Sequence, residues 1–111
     1  MDYISRDDFL SALVGTEQTI QVGGMTISVR PLTLIEREAI RTATTGADGQ
    51  LSTIDMEVET VLAGMANPKL NRADIEALKT GRAGIIDEIA QSIMQISGMG
   101  DDAEKKAGDG S

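Results

Sequence analysis

Histidine and cysteine are both missing from the 111 residues. Their absence removes the commonest general base, the usual zinc ligands, the thiol nucleophile and any disulfide framework. Whatever chemistry remains rests on carboxylates, lysines, hydroxyls and a single tyrosine. Aromatic content is only 2%, supplied by Tyr3 and Phe9, so the core must be built from Ile, Leu, Val, Ala and six Met residues. A core rich in methionine repacks easily, because the thioether side chain is unbranched and polarizable.

Positive charge is also scarce. Lys and Arg total 10 against 18 Asp and Glu, a net charge of -8, which disfavours phosphate backbones and anionic lipid alike. The acids alternate with basic residues from Arg6 to Arg82 and form no block, the pattern of a solvated surface. No apolar run approaches the roughly 18 residues of a membrane span. The N-terminus carries Asp2, Asp7 and Asp8 where a signal peptide needs positive charge and then an apolar stretch. A protein made and used in the cytoplasm is the expectation.

The length suits one domain with a small core. Ser5 with Asp8 has capping-box spacing and predicts a helix over Arg6 to Val14, with Phe9, Ala12 and Leu13 at helical spacing, stopped by Gly15. The β-branched runs 19–22 and 25–29 flank Gly23-Gly24 and predict a hairpin. Ile20 and Val22 would share one face, opposite Met25, Ile27 and Val29. Thr33 with Glu36 makes a second capping box, opening a helix from Leu34 to about Thr42 with Ile35, Ala39 and Ile40 turned inward.

A third helix is predicted from Ser52 or Thr53 to about Ala66, with Ile54, Val58, Val61, Leu62 and Met65 as its apolar stripe. Asn71 and Asp74 cap a short helix through Leu78, and a last one runs from about Ala83 to Ser97, stopped by Gly98. The expected fold is therefore α+β, mostly α, with four to five short helices and one N-terminal β-hairpin at about 17–30. A single globular domain is expected over 1–98. The segment 99–111, acidic and glycine-containing without apolar periodicity, reads as a disordered tail.

Few residues suggest catalysis or ligand binding. Asp7-Asp8, Asp87-Glu88 and Asp101-Asp102 are adjacent pairs, and neighbours on a helix point to different sides, so solvated charge is the better reading. Gly23-Gly24 is too little for a phosphate loop. No catalytic residue, cofactor or metal site is predicted.

Two features exceed a plain helical core. One is the strand-to-helix junction Arg30-Pro31-Leu32-Thr33 with Glu36 and Arg37, which serves either as a structural joint or as part of a contact surface. The other is the Met65 to Leu70 turn together with the Ile-rich last helix, in a chain whose methionines Met25, Met56, Met65, Met94 and Met99 are many for so small a core. Those methionines either fill the core or form a surface that grips variable apolar partners. The candidate partner-binding residues are accordingly Arg30, Pro31, Leu32, Glu36, Arg37, Met65, Ile89, Ile93 and Ile96.

The order of these elements resembles the tail assembly chaperones of long-tailed bacteriophages and related prophages. The resemblance runs from Arg6 to Gly98 and is carried by Asp8 to Ala12, the hairpin, Val29-Arg30-Pro31-Leu32-Thr33 leading into Glu36-Arg37, then Leu62 to Met65, Pro68 to Leu70, Ala73-Asp74 and a closing Ile-Ser-Gly. It implies a non-enzymatic protein that binds the long, apolar tape measure protein, keeps it soluble and leaves as the tail tube polymerises. The tail tube protein is a second candidate partner, self-association is implied, and neither nucleic acid nor membrane is a partner. Such a protein acts in the cytoplasm of the infected bacterium and is not expected in the mature virion. The family often has a longer form made by frameshifting, and Lys105-Lys106 fits an A-rich slippery stretch. The alternatives are a permanent small structural protein of the tail or connector, and a cytoplasmic adaptor unrelated to phage.

Overall fold

The computed structural model describes residues 2–50 and 52–99. Among these residues, five α-helices and one three-stranded antiparallel sheet make up an α+β fold that is mostly α. The expected disordered tail at 99–111 lies outside the described residues, apart from Met99.

Strands β1 (Gln18–Val22) and β2 (Met25–Val29) pair in register Val22 with Met25, Ile20 with Ile27 and Gln18 with Val29. Gly23 at φ 56° and Gly24 at φ 80° form the turn, both in the left-handed region that suits a two-residue hairpin. Val22, Ile27 and Val29 are buried as the alternation predicts, whereas Met25 at the hairpin tip is 45% exposed.

Helix α3 (Thr53–Gly64) is followed directly by β3 (Met65–Asn67), which adds to the far side of β2 and pairs Met65 with Val29. Sequence periodicity carries the helix to Ala66, two residues too far, because Met65 stays buried while its backbone turns extended. The switch is fixed by the Arg30 N–H, which donates to the Gly64 carbonyl at 2.8 Å. A helix end that bonds to a neighbouring strand has its last carbonyl satisfied without a glycine cap beyond it.

Helix α2 (Leu34–Thr44) starts at the predicted capping box: Thr33 Oγ1 accepts the Glu36 N–H at 3.1 Å and Glu36 Oε1 accepts the Thr33 N–H at 2.9 Å. Its inward line is Glu36, Ile40 and Thr44, one turn apart, so Ile35 is 81% exposed and Ala39 is also exposed, against expectation. The line begins with a glutamate because Glu36 is held by Arg30. In α3 likewise Val58 and Val61 are buried but Ile54, in the first turn, is 65% exposed.

A 3-10 turn at Arg72–Asp74 leads into α4 (Ile75–Thr80), and α5 (Ala83–Ile96) completes the fold. Gly98, at φ 77°, ends α5 as predicted: its N–H donates to the Gln95 carbonyl at 3.0 Å and the Met99 N–H to the Met94 carbonyl at 2.8 Å. The core lies between the sheet and the paired α3 and α5, where Val29, Val61 and Ile93 are fully enclosed.

Helix α1 (Arg6–Ala12) stands apart. Ser5 Oγ accepts the Asp8 N–H at 3.1 Å and caps it as predicted, but it ends at Ala12 instead of Val14 and none of its residues is buried. Phe9 is 50% exposed and Leu13, just beyond it, 65%. Among the described residues, nothing buries the apolar side chains of this helix.

Candidate functional site

The strand-to-helix junction is built around one ion pair. Arg30 Nη1 donates to Glu36 Oε1 at 3.0 Å while Nη2 donates to Oε2, a two-pronged arrangement that fits guanidinium to carboxylate. The hydrogen bond from Arg30 holds the Glu36 carboxyl down to about 2 from its ordinary 4.5, with the Thr33 N–H acting in the same direction and burial against it. Both side chains are largely covered, with 30% and 28% exposed. From the other side, the Leu32 N–H donates to Ser97 Oγ at 2.8 Å, and Ser97 Oγ donates to the Ile93 carbonyl at 2.6 Å. Hence Arg30, Leu32 and Glu36 are spent on joining β2, α2 and the end of α5.

Above that joint the surface opens into two adjoining grooves of about 260 Å³ each. Met56, Thr60, Met94 and Met99 line both. The first groove runs between α3 and α5, with Glu57 on one helix and Asp87 and Gln91 on the other. The second lies against α2 and is completed by Leu32, Ile40, Arg37 and Arg41. Helical spacing explains the lining: Thr53, Met56, Glu57 and Thr60 lie on one face of α3, and Asp87, Ala90, Gln91 and Met94 on one face of α5.

Charge is divided across this surface. On the α3–α5 side a side-chain hydrogen bond to Asp87, followed by burial and the Asp87 charge, pushes the Glu57 carboxyl up from its ordinary 4.5. On the α2 side stand Arg37 and Arg41, of which Arg41 lies 3.8 Å from Glu38 and Arg37 has no ion-pair partner among the described residues. The methionines lie between. Such a surface offers deformable apolar contact with a charged rim of each sign. Among the described residues no group of three or more acidic side chains comes together to hold a metal ion, and no helix is long and apolar enough to cross a membrane.

The residues predicted to bind a partner divide accordingly. Met65, Ile89 and Ile93 are core residues at 6%, 3% and 0% exposure and form no surface, because the inward line of α5 packs on α3 and the sheet there. Ile96 is half-buried against that same core. Arg30 and Glu36 neutralise each other, and Pro31 packs against Gly15, where a Cβ would lie 2.2 Å from Pro31 Cγ. Only Leu32 and Arg37 reach the groove.

Met56, Met94 and Met99, singled out in sequence as a set but not placed in the site, are what brings the grooves together. The signal was present as composition, while their juxtaposition depends on α3 lying beside α5. No protein-family model, curated protein or solved structure matches this chain.

Proposed function

We propose that this chain is a non-catalytic binding protein whose methionine groove holds an apolar helical segment of a partner, as a tail assembly chaperone holds the tape measure protein. The observation that carries the reading is the clustering of Met56, Met94 and Met99, from two helices and the chain beyond α5, into one open surface. Thioether side chains adapt to different apolar shapes at little cost, which a long client of varied helical sequence requires. A net charge of -8 keeps the complex dissolved while the client's apolar face is covered. In this reading the protein acts in the host cytoplasm and is left out of the finished particle.

Co-expression with a phage tape measure protein tests the reading. The client's soluble yield rises and the two proteins purify together; Met94→Glu, which places a charge in the groove, abolishes both. Failure of the wild-type chain to raise solubility and to co-purify overturns the proposal.

A permanent structural role in the tail or connector is favoured by one observation, the uncovered α1, since a subunit locked in a particle uses such arms. Mass spectrometry of purified virions decides: abundant protein in the particle supports the structural role, and its absence the chaperone.

A further inference from the structure

Seven residues are too few for a helix to hold its shape alone in water, where about 12 to 15 are needed. Helix α1 nevertheless buries no residue against its own chain. Phe9 and Leu13, one turn apart, share an exposed face, and Tyr3 at 90% and Val14 at 75% extend the apolar surface on either side. So many exposed apolar side chains on one short segment point to a contact site. The chain leaves the body at Gly15, which is pressed against Pro31, so α1 projects as an arm.

The same chain displays a surface of matching character. The methionine groove is apolar at its centre, and sulfur beside an aromatic edge is a favourable contact for Phe9. The charges match as well. Asp7, 3.4 Å from Arg6, and Asp8 occupy the first turn of α1, and Arg37 and Arg41, the latter 3.8 Å from Glu38, line the α2 side of the groove; Asp8 and Arg37 are in no ion pair among the described residues. Nothing comparable to the arm's acids is needed on the α3–α5 side, where Glu57 and Asp87 already repel each other.

We infer that α1 of one copy docks into the methionine groove of a second copy, with Phe9 and Leu13 among Met56, Met94 and Met99 and with Asp7 and Asp8 toward Arg37 and Arg41. Every copy carries one arm and one groove. Exchange therefore closes as a two-fold pair or continues head to tail. The contact covers both apolar surfaces while no client is present, and a client helix entering the groove releases the arm. This self-docking goes beyond the chaperone reading and stands or falls on the pure protein.

The test is light scattering on the full chain across a concentration series, without client. The expected mass is at least twice the 11.7 kDa of one chain. Phe9→Asp with Leu13→Asp, at exposed positions that leave the core untouched, gives single chains. Arg37→Glu with Arg41→Glu, also exposed, weakens association at least tenfold, and mixing the arm variant with wild type restores a contact through the wild-type arm. Wild-type protein that stays at one chain mass, or an arm variant that assembles like wild type, overturns the inference. Either result leaves client co-purification free to succeed, so the two readings fail separately.

Discussion

Gly64 lies directly against Ile93: a Cβ on Gly64 would stand 2.6 Å from both Cδ1 and Cγ2 of Ile93. Glu57 meets Asp87 further back along the same two helices, so the contacts advance together and α3 and α5 run in the same sense. Ile93 is fully enclosed and has nowhere to retreat. Gly64→Ala is therefore expected to destabilise the protein by about 1 to 3 kcal/mol, the usual cost of overpacking a filled core. Urea denaturation reads the loss. Combined with Ile93→Val the penalty is smaller than the sum of the single ones, because a methyl that meets the new Cβ is gone. Strict additivity would show that the two residues do not touch.

Acid stability depends on Glu36. Its carboxyl is held at about 2 in the folded protein against an ordinary 4.5, so its ion pair stabilises fully above 4.5 and the contribution disappears as pH falls toward 2. With solvent screening around the partly exposed pair, the contribution is about 1 kcal/mol. Glu36→Gln is expected to lower stability at pH 7 and to match wild type near pH 2, as measured by urea midpoints at the two pH values. A difference that persists unchanged at pH 2 would locate the effect elsewhere.

Glu57 has the opposite sign. Its carboxyl is raised from 4.5 by Asp87 and by burial, so the folded protein keeps that proton when the unfolded chain has released it. Stability consequently falls as pH rises through the interval just above 4.5, and at neutral pH the two carboxylates oppose folding. Glu57→Gln is expected to raise the melting temperature at pH 7 and to have no effect at pH 3. A lowered melting temperature at pH 7 would contradict the repulsion.

The hairpin turn separates two causes of strain. Gly23 and Gly24 both have positive φ, but a Cβ at Gly23 would lie 2.6 Å from Ile85 Cδ1, while at Gly24 nothing lies within 4 Å. Gly24→Asn, a residue that tolerates the left-handed region, is expected to cost well under about 1 kcal/mol, and Gly23→Asn about 1 to 3 kcal/mol because Ile85 must also move. Thermal melts of the two variants measure the difference, and equal losses would remove Ile85 from the account.

What could be read from the sequence follows from how local the determinants are. Ser5, Thr33 and Asn71 cap helices through bonds to residues two or three positions on, and Gly98 closes α5 through its own last turn, so those boundaries were legible. Gly23-Gly24 fixed the hairpin in the same way. Strand β3 was not legible, since Met65 to Asn67 carry no strand pattern of their own and are held by pairing with β2, more than thirty residues earlier. Ile35 and Ile54 were assigned inward because periodicity identifies an apolar face but not how much of it a small core can cover. In the site, nothing local in the sequence distinguishes Met65, Ile89 and Ile93 from surface residues; they are buried because the sheet and the helices α3 and α5 converge there. Composition flagged the methionines, and only the side-by-side placement of α3 and α5 shows which of them share a groove.

The bond from the Leu32 N–H to Ser97 Oγ spans 65 positions of chain. On the ribosome this separation becomes a delay. The hairpin, α2 and α3 are all synthesised before residue 97, and Met94 and Met99, which complete the groove, are added close to it. The α1 segment is thus made well before the last residues of the groove proposed to receive it.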